Sequence, residues 1–190
     1  MRHSALLMSL LLALAAGSAS ARECKGVQFD EHLPVKGTEL TLNGLGMRKA
    51  TILKVNVYVA ALYVTTPSHD AAALINPNAP EELILHFVRN VGVGDLKNAW
   101  SEGCEKVAKD QLTTLGARIA MLNSWMTDMK TGQRMSFVRL PDTGTQVSIN
   151  GVVKGTITGD DFSRALMSIW LGPEPPNAEL KSGLLGGSCG

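Results

Sequence analysis

Cysteine, histidine and aromatic residues are scarce in this 190-residue sequence, and the formal net charge is only +1. The three cysteines, Cys24, Cys104 and Cys189, form no Cys-x-x-Cys pair, and the four histidines do not cluster with them at ligand spacing. Both absences argue against a metal site. No triad order stands around His86, so nucleophilic hydrolysis has little to rest on. Gly92-x-Gly94 is a fragment of a dinucleotide fingerprint and reads as a helix-entry turn. No cofactor is expected. The balanced charge gives no broad attraction to nucleic acid or anionic lipid. Internal repeats and low-complexity linkers are also missing.

The sequence opens with a short basic start, an apolar run from Ala5 to Ala16, and small residues ending Ala19-Ser20-Ala21. That three-part pattern is that of a secretory signal peptide, with cleavage expected after Ala21 and a periplasmic or secreted product. The run is shorter than the ~20 apolar residues that span a bilayer. No later segment is long and apolar enough to do so, so the mature chain is expected to lack a transmembrane segment. Removing Arg2 with the leader leaves 17 basic residues against 17 acids. Residues 22–190 are long enough for one domain with a full core. Export would place the cysteines in an oxidising compartment. Spacing does not fix their pairing. A Cys24–Cys189 staple is the expected one, because chain ends often lie together, with Cys104 buried and free.

The element pattern is α+β. Cys24 to Val35 and Thr38 to Leu42 read as strands, followed by a Gly44-Leu45-Gly46 turn. Lys49 to Val64, rich in β-branched residues and Tyr, reads as a bent strand or a tight pair. A short helix is expected over Asp70 to Ile75 and a strand over Glu82 to Arg89. A long helix should run from Asp95 to about Leu115 and end or bend at Gly116, on the periodicity of Leu96, Trp100, Cys104, Val107 and Leu112. A strand meander follows over Arg134–Leu140, Gln146–Ile149 and Val152–Ile157. Asn150-Gly151 is its hairpin signal, since both residues tolerate positive φ. The last helix, Asp161 to Leu171, carries the stripe Phe162, Ala165, Leu166, Ile169 and Trp170. Strands, helices, strands and a helix in that order predict an antiparallel sheet with helices on one face.

Three blocks carry a resemblance. Asn43-Gly-Leu-Gly-Met-Arg48 with Asn56-Val-Tyr-Val-Ala-Ala-Leu-Tyr63 resembles the N-terminal signature of the chalcone isomerase fold. Phe87-Val-Arg-Asn-Val-Gly-Val-Gly-Asp-Leu-Lys-Asn-Ala-Trp100 resembles the middle of its bacterial secreted branch. Phe162-Ser-Arg-Ala-Leu-Met-Ser-Ile-Trp-Leu-Gly-Pro173 with Leu180-Lys-Ser-Gly-Leu-Leu-Gly186 resembles that branch's C-terminal signature. The resemblance implies an open-faced β-sandwich with a cleft between a large antiparallel sheet and layered helices. Some plant members isomerise chalcones to flavanones, whereas others bind fatty acids without catalysis. The family's cleft arginine falls on Arg48, its strand hydroxyl on Tyr58, and a last-helix hydroxyl on Ser168. The isomerases' Tyr and Asn fall on Leu96 and Gly103, so the groups that polarise and orient a flavonoid are missing.

The residues themselves leave choices open. Arg48 must reach water, pair with a carboxylate, or meet an anionic ligand, because its guanidinium stays charged. Tyr58 can donate to the same anion or simply pack. Tyr63, five residues on, should face the other side of a regular strand and be structural. Ser168 sits about 60° from Ala165 on the helical wheel and either enters a cleft or faces solvent. The Met-rich segment with Met121, Met126, Met129 and Met135 suits a pocket lining or a core. The expectation is a non-catalytic binder of an apolar anionic ligand such as a fatty acid, held by Arg48, Tyr58 and Ser168. The alternatives are an isomerase or intramolecular lyase with Arg48 stabilising an oxyanion, and a cell-envelope interaction protein in which Arg48 is structural.

Overall fold

The computed structural model of the chain describes residues 20–50, 53–76 and 78–190. The expected signal segment, 1–21, lies outside them apart from Ser20 and Ala21. Two short strands, β1 (Ala21–Cys24) and β2 (Val27–Asp30), form a separate hairpin. Then come β3 (His32–Val35), β4 (Thr38–Ala50), β5 (Val55–Val64), α1 (Ala71–Ile75), β6 (Glu81–Phe87), α2 (Val93–Val107), α3 (Leu112–Ser124), β7 (Arg134–Leu140), β8 (Gly144–Ile149), β9 (Val152–Ile157), α4 (Asp160–Leu171) and α5 (Ala178–Leu184). Strands β3 to β9 form one antiparallel sheet in sequential order. Every neighbour is joined through its own connection, so the sheet is a meander with no crossover.

Residue alternation divides the core in two. On β5, Tyr58, Ala60, Leu62 and Val64 join Phe87, Phe137, Trp100, Phe162 and Trp170 in a cluster beneath the helices. Val59, Ala61 and Tyr63 point the other way, with Leu40, Met47, Phe29 and Cys24. The β1–β2 hairpin lies over that second face, which is why β5 is apolar almost throughout. Cys24 and Cys189 form a disulfide with Cα atoms 5.8 Å apart, and Cys104 is free and buried. Asn150 and Gly151 make the β8–β9 turn with φ of 51° and 77°, the sense that matches strand twist.

Four expectations change. Cys24 to Val35, read as a strand, is split between β1, β2 and β3, with β1 and β2 in their own sheet and β3 in the large one. Gly44-Leu45-Gly46 is not a turn but lies within the 13-residue β4. A Cβ at Gly44 would overlap the carbonyls of Gly183 and Leu184, and one at Gly46 that of Leu180. The glycines therefore bare the strand so that α5, which the sequence reading did not anticipate, can sit directly on it. The long helix breaks at Ala108 (φ −140°) into α2, a single 3₁₀ turn over Lys109–Gln111, and α3. Apolar residues spaced by four drift roughly 40° per step, or about 160° from Leu96 to Leu112 on a continuous helix. The break re-aims the second stripe, Leu115, Ile119 and Leu122, at the core. Gly116 is exposed inside α3 and ends nothing.

Candidate functional site

Arg48 on β4 and Tyr58 on β5 are direct cross-strand partners, and the register shifts immediately after Arg48. Both line a cavity of about 490 Å³ between the sheet and α2. Its apolar wall includes Val57, Phe87, Leu96, Trp100 and Ile169, and its outer edge is the Glu174-Pro175-Pro176 segment between α4 and α5. Among the described residues, Arg48 has no carboxylate partner. Its guanidinium donates to the Lys49 carbonyl and, at 3.4 Å, to that of Pro176. Backbone carbonyls orient the cation without neutralising it, so an anion in the cavity would meet its full charge.

Tyr58 is buried, and burial pushes its phenol up to about 12, outweighing the Trp170 hydrogen bond and the Arg48 charge that act the other way. The hydroxyl therefore keeps its proton across the ordinary pH range. Trp170 Nε1 donates to the Tyr58 oxygen at 3.0 Å. Trp170 is fully buried. Its ring lies 5.7 Å from both Trp100 and Phe137, and Phe87 meets the Tyr58 ring edge-on at 5.6 Å. The phenol is thus fixed on all sides except toward the cavity.

The charged residues around the cavity balance. Arg48, Arg89 and Lys106 are matched in number by Asp95, Glu102 and Glu174, and all but Arg48 are exposed. Selectivity for an anion would come from the local Arg48–Tyr58 donors rather than from a field over the whole opening. The Pro-rich outer edge is held to β4 by Asn177. Its Oδ1 accepts from Lys49 N and its Nδ2 donates to the Met47 carbonyl, each at 3.1 Å. This side chain extends the sheet by one false peptide. Sequence reasoning passed over it, although the Pro173, Pro175 and Pro176 break between two helical stretches marks a fixed connection.

Ser168 is not brought to this site. It lines a different cavity, of about 480 Å³, with Ile75, Gln111, Thr114 and Arg164. Adjacent residues on a helix diverge by about 100°, so with Ile169 facing Arg48 and Tyr58, Ser168 must turn away. Tyr63 lies on the opposite sheet face and donates to the Asp30 carbonyl at 2.8 Å. His86 is also on that face; its Nδ1 accepts from Arg134 Nε at 3.1 Å. Burial, then the Arg134 charge, holds its pKa below the ordinary value. Met126, Met129 and Met135 are core residues and Met121 is exposed; none of the four lines the Arg48 cavity. Leu96 and Gly103, the positions matched to the isomerases' Tyr and Asn, both line it. A Cβ at Gly103 would stand 3.1 Å from Ile169, so the close approach of α2 and α4 leaves little room there.

The sequence model described as chalcone isomerase-like matches residues 21–186. No curated protein matches the chain. Among solved structures, a fatty-acid binding protein of Arabidopsis thaliana is similar with a TM-score of 0.69 over 87% of this chain and 96% of that one, at 15% identity. At that identity the likeness is one of fold. It extends to the large antiparallel sheet with its layered helices.

Proposed function

The chain belongs to the chalcone isomerase-like family, and from that premise we propose that it binds, without transforming, an apolar molecule with an anionic head group, such as a fatty acid. The observation that carries this reading is the Arg48–Tyr58 pair: a charged donor without a carboxylate partner among the described residues, beside a protonated buried phenol, both on the wall of a cavity with one apolar side. The head group would take the guanidinium and the phenolic proton, and the tail would lie against Phe87, Leu96, Trp100 and Ile169. Each buried methylene would contribute ~0.8 kcal/mol before ordering costs. The fold shared with a fatty-acid binding protein agrees with this reading. The apolar surfaces at Leu96 and Gly103 offer nothing to polarise a carbonyl or move a proton, which counts against an isomerase.

We also propose that the protein is exported, to the periplasm or beyond, with cleavage after Ala21. The leader pattern of residues 1–21 supports this, as does the Cys24–Cys189 disulfide, which suits an oxidising compartment.

Native mass spectrometry of the exported protein, with organic extraction, tests the binding. Wild type should carry or take up a long-chain carboxylate, and Arg48→Ala should lose it. A wild-type protein that shows no mass shift with added fatty acids overturns the proposal and favours an interaction protein with a structural Arg48.

A further inference from the structure

We infer that Trp170 sets the head-group selectivity of the cleft by making the Tyr58 hydroxyl a donor only, so that the site takes groups that accept hydrogen bonds and rejects a neutral alcohol of the same chain length. This rests on the binding reading above and goes beyond it. The indole N–H of Trp170 points at the Tyr58 oxygen from 3.0 Å. A phenolic hydrogen lies in the ring plane in one of two orientations, and an N–H aimed at the oxygen repels it from one of them. The hydrogen must then point away from Trp170. Among the described residues it has no acceptor, while the oxygen's in-plane acceptor position is already taken by Trp170. Trp170 itself does not line the cavity. It acts only through Tyr58 and is a positioning residue.

Arg48 is likewise a donor without an acceptor atom. The side chains at the Arg48–Tyr58 end of the cavity are therefore donors alone, and the Lys49 and Pro176 carbonyls beside them already accept from Arg48. A carboxylate satisfies both and brings no proton of its own. An alcohol can accept from both but must bury its own O–H without an acceptor, which is costly. Other acceptors nearby do not rescue it. Asn90 Oδ1 already accepts from Thr131 N at 3.0 Å. Asp95, Glu102 and Glu174 are in water, where exchanging one partner for another gains little.

The test measures binding of dodecanoate, dodecanol and methyl dodecanoate to wild type and to Trp170→Phe. Phenylalanine keeps an aromatic ring against Trp100 and Phe137, removes the donor, and fills less of the core. Freed from Trp170, the Tyr58 hydroxyl can rotate and accept from an alcohol. Dodecanol should therefore bind the variant roughly fivefold more tightly, and the acid-to-alcohol ratio should narrow by about tenfold. A merely structural role would weaken both ligands together and leave the ratio unchanged, which would overturn the inference. Wild type alone gives a second check that does not depend on the variant folding. Methyl dodecanoate, which only accepts, should bind more tightly than dodecanol. Equal or reversed affinities would overturn the inference while leaving the binding reading in place. Failure of wild type to bind any of the three would overturn both.

Discussion

Glu81 is the second residue group with an unusual environment, and its consequence is a stability that falls as pH rises. It begins β6 on the helix-facing side of the sheet and is 1% exposed. Neither carboxyl oxygen has a hydrogen-bond partner among the described residues. Arg139, its cross-strand partner on β7, comes no nearer than 3.9 Å, beyond hydrogen-bond reach. The guanidinium instead donates to the Ile75 carbonyl at 3.2 Å and faces Asp160 at 3.5 Å, tying the sheet to the end of α1 and the start of α4. Burial therefore outweighs the Arg139 charge, and the Glu81 carboxyl is raised from 4.5 to about 8. Between those two values the folded chain holds a proton that the unfolded chain has lost, so stability declines with pH. The slope is roughly 1.4 kcal/mol per pH unit, on the order of 4 kcal/mol between about pH 5 and pH 8. His86, whose pKa is lowered, tilts the curve the other way near its own titration. Comparison with Glu81→Gln cancels that contribution. Glutamine keeps the shape and cannot ionise, so the variant should match wild type near pH 5 and be several kcal/mol more stable near pH 8.5. Urea unfolding followed by tryptophan fluorescence across that range measures it. A wild-type profile that is flat or rising over this range after subtraction of the variant would refute the reasoning.

Other expectations follow from contacts in the fold. Gly46→Val should destabilise by roughly 3 kcal/mol or more, because its side chain would meet the Leu180 backbone; a denaturant midpoint equal to wild type would mean that α5 does not rest on β4. Cys189→Ser should cost roughly 2–4 kcal/mol, since the bridge closes a sequence separation of 165 residues; the loss should appear in thermal unfolding and match that of Cys24→Ser. Ser168→Ala should leave dodecanoate affinity within about twofold, because Ser168 faces another cavity; a large loss would return it to the ligand site. N-terminal sequencing of exported protein should begin at Arg22.

Much of the local architecture was legible because it depends on neighbours in sequence. Alternation and β-branched residues marked β7 and β9 from end to end. The i, i+3, i+4 stripe marked α4, and Asn150-Gly151 marked the β8–β9 hairpin through the positive φ that both residues accept. The odd spacing of Tyr58 and Tyr63 placed them on opposite faces, since a strand's side chains alternate by geometry alone. Arg48 and Tyr58 were brought together as site residues by the resemblance to the chalcone isomerase fold; the residues alone left a surface or salt-bridged Arg48 open.

Tertiary structure decided what no local pattern encodes. Whether Gly44 and Gly46 turned the chain or bared a strand depended on α5, about 140 residues later in sequence. Whether Ser168 or Ile169 faced Arg48 depended on how α4 rolled against the sheet, and one residue of roll separates the two cavities. The donor that fixes the Tyr58 hydroxyl lies 112 residues away on Trp170. The raised pKa of Glu81 arises from burial, which the Arg139 charge across β6 and β7, outside hydrogen-bond distance, does not offset. Sequence specifies the period and chemistry of each element. The distances on which charge, burial and selectivity depend exist only once those elements have packed.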